Sequence, residues 1–150
     1  MKTIFDNATR EEIISRINTL TGKHTAQWGK MNVYQMTKHC TIWNNWMLGR
    51  GHTTYTQGLL GRVFGKMALK GMVNNDRPMK KGMPSGPAFL TKEKTGDLEL
   101  EKRIWAEQVA AYGYYSNPGF IHDFFGKMKM DEIGIFVYKH FDHHLRQFNA

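Results

Sequence analysis

The chain has 150 residues, a single cysteine, and 21 Lys and Arg against 13 Asp and Glu, a formal net charge of +8 at pH 7. That length predicts one domain over residues 1–150, and the lone Cys40 excludes an intrachain disulfide and a thiolate-rich zinc site. No stretch approaches the run of about 20 apolar residues that a membrane span needs, and Met1-Lys2-Thr3-Ile4-Phe5-Asp6 turns polar before a signal-peptide core could form, so a soluble cytoplasmic protein is expected.

Thr9-Arg10-Glu11-Glu12 has the form of a capping box. Ile13, Ile14, Ile17 and Leu20 then repeat at helical spacing up to Gly22, which predicts a first helix over about 9–21. Residues 23–31 read as a connection. Val33, Met36, Cys40, Trp43 and Met47 recur every three or four residues up to Gly49, the pattern of a second amphipathic helix. At about 100° per residue, His39 lies about 60° from Met36 and about 40° from Trp43, so it faces the core.

From Gly58 to Met72, Leu60, Val63, Phe64, Met67 and Met72 form an apolar stripe, and Arg62, Lys66 and Lys70 stack at i, i+4, i+8 on the opposite face. This predicts a short basic helix, weakened by about 1 kcal/mol at each of Gly61 and Gly65. Asn74-Asn75-Asp76, Pro78, Gly82, Pro84, Ser85-Gly86-Pro87 and Gly96 mark residues 74–96 as a long loop that could act as a lid.

Asp97 can cap a third long helix, in which Leu98, Ile104, Trp105, Val109 and Tyr112 keep the period through Tyr115. Ser116-Asn117-Pro118-Gly119 ends it, and residues 120–129 are a further connection. Asp131 and Glu132 suit the positive start of a last helix running through Ile133, Phe136, Val137, His140, Phe141, His144 and Phe148. With no strand pattern and no repeat, four long helices and one short one predict an all-α helix bundle.

Three histidines fall on these apolar stripes. His140 and His144 are one turn apart on one face, so both rings can converge on a point, the two-histidine geometry of helical metal sites. The third, His39, comes from another core-facing helix, and an unsatisfied polar group in a core costs about 1–3 kcal/mol, so a shared divalent ion is the simplest explanation. His143 falls about 60° off the edge of the apolar arc and is read as an outsider, facing solvent or a pocket rim. Cys40 points into the core and is read as buried and inert. Trp43, one turn from His39, has the strongest claim to touch the site. Trp105, Tyr112, Tyr114 and Tyr115 could line a pocket wall, with helix packing the better assignment.

A mid-helix histidine followed near the C-terminus by His140-x-x-x-His144 resembles the DinB/YfiT-like superfamily of metalloenzymes, and more closely a subfamily labelled a domain of unknown function. The segments Gln27-Trp28-Gly29-Lys30-Met31-Asn32-Val33, Phe64-Gly65-Lys66-Met67, Asn117-Pro118-Gly119-Phe120 and Phe124-Phe125-Gly126-Lys127-Met128 carry that likeness over nearly the whole chain. The resemblance implies a four-helix bundle with long crossover connections, often a homodimer, holding a divalent metal on His39, His140 and His144. Where relatives commonly have His-Pro, this chain has His122-Asp123, so His122 receives no family role and is read as a loop histidine bonded to backbone.

Three neutral imidazoles would leave such an ion its full charge and at least one open position. Zn, Ni, Cu and Fe all suit imidazole ligands. Residues 13–75 contain no Asp or Glu and carry +8, which favours an anionic substrate. Characterised members of the superfamily act on low-molecular-weight thiols, so the resemblance implies activation of a small thiol such as bacillithiol or glutathione for S-transfer to an electrophile. A hydrolase using metal-activated water is the rival reading. No general base can be named for it, and His143, Tyr138 and Gln147 near the ligands are read as surface or supporting groups. A nucleic-acid or anionic-lipid role for Arg62, Lys66, Lys70, Arg77, Lys80 and Lys81 is disfavoured, because the aromatics do not interleave with these charges as a single-strand surface requires.

Overall fold

The computed structural model describes residues 1–50, 54–83 and 85–150. Pro84, one of the loop signals, lies outside the described residues. The chain is all-helical, with α1 (Asn7–Thr19), α2 (Val33–Met47), α3 (Leu59–Val73), α4 (Leu98–Ala111) and α5 (Met130–Gln147). Short 3-10 turns occupy Pro87–Phe89 and Tyr112–Tyr114, so the helix expected through Tyr115 tightens after Ala111. Among the described residues there is no strand, only an antiparallel bridge between His122 and Gly126.

The N-cap of α1 is Asp6, three residues before the expected Thr9, and it makes no side-chain cap. Thr9 lies inside the helix and is buried, while Glu12 pairs with Lys2 and, at 3.9 Å, with Arg16. A capping box does form at α2: the Asn32 carboxamide oxygen accepts the Gln35 N–H at 2.9 Å, and the Gln35 side chain accepts the Asn32 N–H at 3.2 Å. These bonds satisfy two of the free donors at the helix start. Asp97 caps α4 as expected, accepting the Leu100 N–H at 2.9 Å.

The core is built mainly from α1, α2, α4 and α5. Trp43 from α2 and Trp105 from α4 meet Phe141 of α5 edge-on, with ring centroids 6.1 and 5.7 Å away. Tyr112 joins the same ring and donates its hydroxyl proton to Asn44 at 2.8 Å. Charged side chains also reach inward: Lys38 pairs with buried Glu101 at 2.6 Å, and Arg16 and Arg146 hold buried Asp142 at 2.9 and 2.7 Å. Paired in this way, the carboxylates avoid most of the penalty of an isolated buried charge.

Helix α3 reverses its expected orientation. Its buried residues are Gly61, Gly65 and Leu69, whereas Leu59, Leu60, Val63, Phe64 and Met67 are exposed. The physical reason is close approach: a Cβ on Gly61 or Gly65 would lie 2.3 or 2.1 Å from the Phe124 carbonyl oxygen. The two glycines weaken the helix intrinsically, yet only glycine lets it lie on the 122–126 turn. Lys66 donates to the Lys127 carbonyl and Lys139 of α5 donates to the carbonyls of Met72, Asn75 and Arg77, which closes the end of α3.

Candidate metal centre

Helix α2 contributes His39, and α5 contributes His140 and His144, all buried. Their ring centroids stand 4.8 Å apart for His39 and His144, 4.7 Å for His140 and His144, and 5.5 Å for His39 and His140. Each ring offers one nitrogen, and the three nitrogens lie within 4.8 Å of one another, a group that could hold a metal ion.

The rings are oriented by partners outside the group. Nδ1 of His39 donates to the Phe89 carbonyl at 2.9 Å; a carbonyl only accepts, so the proton is on Nδ1 and the Nε2 lone pair is free. His144 Nδ1 donates to the Gln147 carboxamide oxygen at 3.0 Å, and the Gln147 amide donates to the Trp28 carbonyl at 2.7 Å. Gly29 permits this approach: its φ is 83°, and a Cβ there would lie 2.7 Å from the Gln147 amide nitrogen. Trp43 stacks on His140, with centroids 4.0 Å apart and planes 28° from parallel.

Among the described residues, His39 Nε2 and His140 Nδ1 are buried without a hydrogen-bond partner. Leaving such atoms bare costs about 1–3 kcal/mol each, and a divalent cation is an acceptor's natural complement there. All three rings are held below the ordinary histidine value of 6.5, His140 and His144 well below it. Burial is the main cause for each. Proximity to His144 and His39 adds to it for His140, as does proximity to His39 for His144, while the Phe89 carbonyl opposes it at His39. Neutral imidazoles are the ligating form, so the donor set fits the group the sequence implies.

The three histidines open onto a cavity of about 550 Å³. Trp43, Phe125 and Phe136 form part of its wall, and Met72, Met79 and Met83 another part. Ser85, Gly86, Pro87 and Phe89 of the 74–96 connection line it as well. Neither Lys nor Arg lines the cavity among the described residues; Asp123 is its one carboxylate and is not in the ligand group.

His143 stays outside the ligand group but does not face solvent. Its ring is buried in the cavity wall, edge-on to Trp28 at 5.5 Å and to His144 at 5.2 Å, and burial lowers its pKa. His122 is bonded to backbone as expected, its Nδ1 accepting the Phe124 and Phe125 N–H at 3.1 and 3.2 Å. With a proton on Nδ1 the ring instead donates to Asp123, 2.9 Å away, and in that state holds its carboxyl below the usual range; the ring also lines the cavity.

Cys40 is fully buried beside Met36, and burial pushes its thiol pKa well up. Trp43 touches the site as expected, while Trp105 and Tyr112 belong to the core and Tyr114 is exposed. Tyr138 lies on the far side of α5 beneath Lys2, whereas Gln147 supports the centre directly. Phe89 and the tie from Gln147 to Trp28 were not derivable from helical periodicity; only the Gln27-Trp28-Gly29 segment, singled out by resemblance, marks the place.

Residues 4–150 match the model of a family described as "Protein of unknown function (DUF1569)". No curated protein and no solved structure matches the chain.

Proposed function

The chain belongs to the DUF1569 family, and we propose that it is a divalent-metal-dependent enzyme of DinB-like four-helix-bundle fold, with His39, His140 and His144 as metal ligands. The observation that carries this reading is the convergence of three buried imidazole nitrogens, with His39 and His144 each fixed through Nδ1 by a protein acceptor. An ion bound there by three neutral ligands would keep an open coordination position and supply Lewis acidity at neutral pH.

The protein's own groups supply the rest. Phe89 and Gln147 select the tautomers of His39 and His144, and Trp43 restrains the His140 ring. The methionine and aromatic walls exclude water and accept an apolar body. Since no cationic side chain lines the cavity among the described residues, negative charge on a ligand is best tolerated only at the atom that reaches the histidines. A small thiol, deprotonated at sulfur, meets that requirement, and an apolar electrophile fits the remaining space. In the resulting S-transfer the thiol proton goes to solvent, sulfur bonds to the electrophilic carbon, and the leaving group departs with its electron pair.

Elemental analysis of untagged protein tests the centre: near-stoichiometric divalent metal is expected, and its loss in a His140→Ala/His144→Ala variant. Metal content unchanged by that double substitution would overturn the assignment. For the reaction, metal-dependent loss of a thiol in the presence of a model electrophile is expected. Electrophile consumption that needs metal but no thiol would transfer the assignment to hydrolysis.

A further inference from the structure

The outward face of α3 has no function in the metal centre. Around a helix of about 100° per residue, the inward residues Gly61, Gly65 and Leu69 centre about 170° from the exposed Leu59, Leu60, Val63, Phe64 and Met67. The apolar arc therefore points directly away from the protein, with side chains between 49% exposed at Phe64 and 78% at Leu59. It leaves on the order of 600 Å² of contiguous surface bare, the upper end of what a monomer shows.

Its chemistry selects a partner. Arg62, Lys66 and Lys70 run along one edge of the arc, all exposed, and no Asp or Glu occurs anywhere in residues 13–75. A second copy packed here about a twofold axis would set this cationic row against its own image with no acid on the helix to pair it. An apolar face edged by basic residues, on a helix too short and charged to cross a bilayer, suits the plane of an anionic membrane surface. The face also adjoins the cavity: Phe124 carries α3 on its carbonyl oxygen, is itself partly exposed, and lines the cavity wall, as does Met72 in the last turn of α3.

Against the expectation from sequence, which turned the apolar stripe of α3 inward, we propose that α3 docks the protein on anionic phospholipid bilayers, with Leu59, Leu60, Val63, Phe64 and Met67 entering the headgroup boundary and Arg62 and Lys70 pairing with lipid phosphates. This places the apolar cavity beside the membrane surface, where apolar substrates concentrate. It does not rest on the metal assignment.

Cosedimentation of the full chain with vesicles of phosphatidylglycerol and phosphatidylcholine in about equal parts is the test. Binding is expected, with weakening of about thirty-fold in Arg62→Gln/Lys70→Gln, from about 1 kcal/mol per basic residue at the surface. Leu60→Ser/Val63→Ser should release the protein while leaving its circular dichroism intact, because both residues are exposed. Equal partition into phosphatidylcholine alone would overturn the proposal. So would absence of vesicle binding, including the case in which light scattering shows a dimer that Leu60→Asp/Val63→Asp disperses, since a second copy would then own this face.

Discussion

Adding one methyl group at Gly65 sets two effects of known size against each other. On propensity alone, Gly→Ala within a helix stabilises by about 0.8–1.0 kcal/mol. At Gly65, however, the new Cβ would lie 2.1 Å from the Phe124 carbonyl oxygen and 3.1 Å from the Phe125 Cα, both backbone atoms that cannot rotate away. Helix α3 would have to retreat by roughly 1 Å from the 122–126 turn, and overpacking of this kind costs about 1–3 kcal/mol. The net expectation runs from no gain to a loss of about 2 kcal/mol, a fall in Tm of up to about 6 °C for a chain of this size. Gly71, in the same helix with nothing within 4 Å of its Cβ position, is the control. Gly71→Ala should stabilise by about 0.5–1 kcal/mol. Thermal and urea unfolding of both variants gives the comparison, and a Gly65→Ala protein as stabilised as Gly71→Ala would refute the inward packing of the glycine face.

Gln147→Leu should weaken metal affinity about 10–100-fold, since it removes the acceptor that orients His144 and the tie to Trp28; competition with a chelator measures it, and unchanged affinity would remove Gln147 from the centre. Tyr112→Phe leaves a buried Asn44 oxygen without its 2.8 Å donor, and should cost about 1–2 kcal/mol in urea unfolding. Cys40, buried with its thiol pKa raised, should resist alkylation at pH 8 in the folded protein and react only as denaturant unfolds it; rapid labelling without denaturant would contradict the packing of α2.

What the sequence makes legible is periodic. On α2 and α5 the apolar residues on both sides of His39, His140 and His144 define a stripe, and a residue inside a stripe shares its environment. Helix α3 shows the limit of that argument. Its stripe was as regular as the others, but periodicity locates an apolar face without saying what it meets, and glycine has no side chain for a hydrophobic pattern to register. For His143 the arc left two places open, solvent and the pocket rim; the structure sets it in the cavity wall, because Trp28, outside any helix, packs edge-on against it. The box at Thr9 failed because the helix already begins at Asn7, which leaves Thr9 inside it and buried, whereas Asn32 and Gln35 did carry a usable signal. Gln147 stands one turn from His144 and was within local reach, but Phe89, which holds His39, and Trp28, which holds Gln147, come from segments distant in sequence, where no local spacing rule applies.

The bond from His39 to the Phe89 carbonyl has a thermodynamic consequence. Phe89 belongs to the connection that lines the cavity, so displacing that segment would remove the acceptor that holds the His39 proton on Nδ1. An ion held by His39 and the placement of this segment would then be reciprocally linked: whatever factor the segment contributed to metal affinity, metal would contribute equally to holding the segment in place. A substrate large enough to displace the segment would loosen the ion, and one small enough to leave it in place would keep the ion's hold.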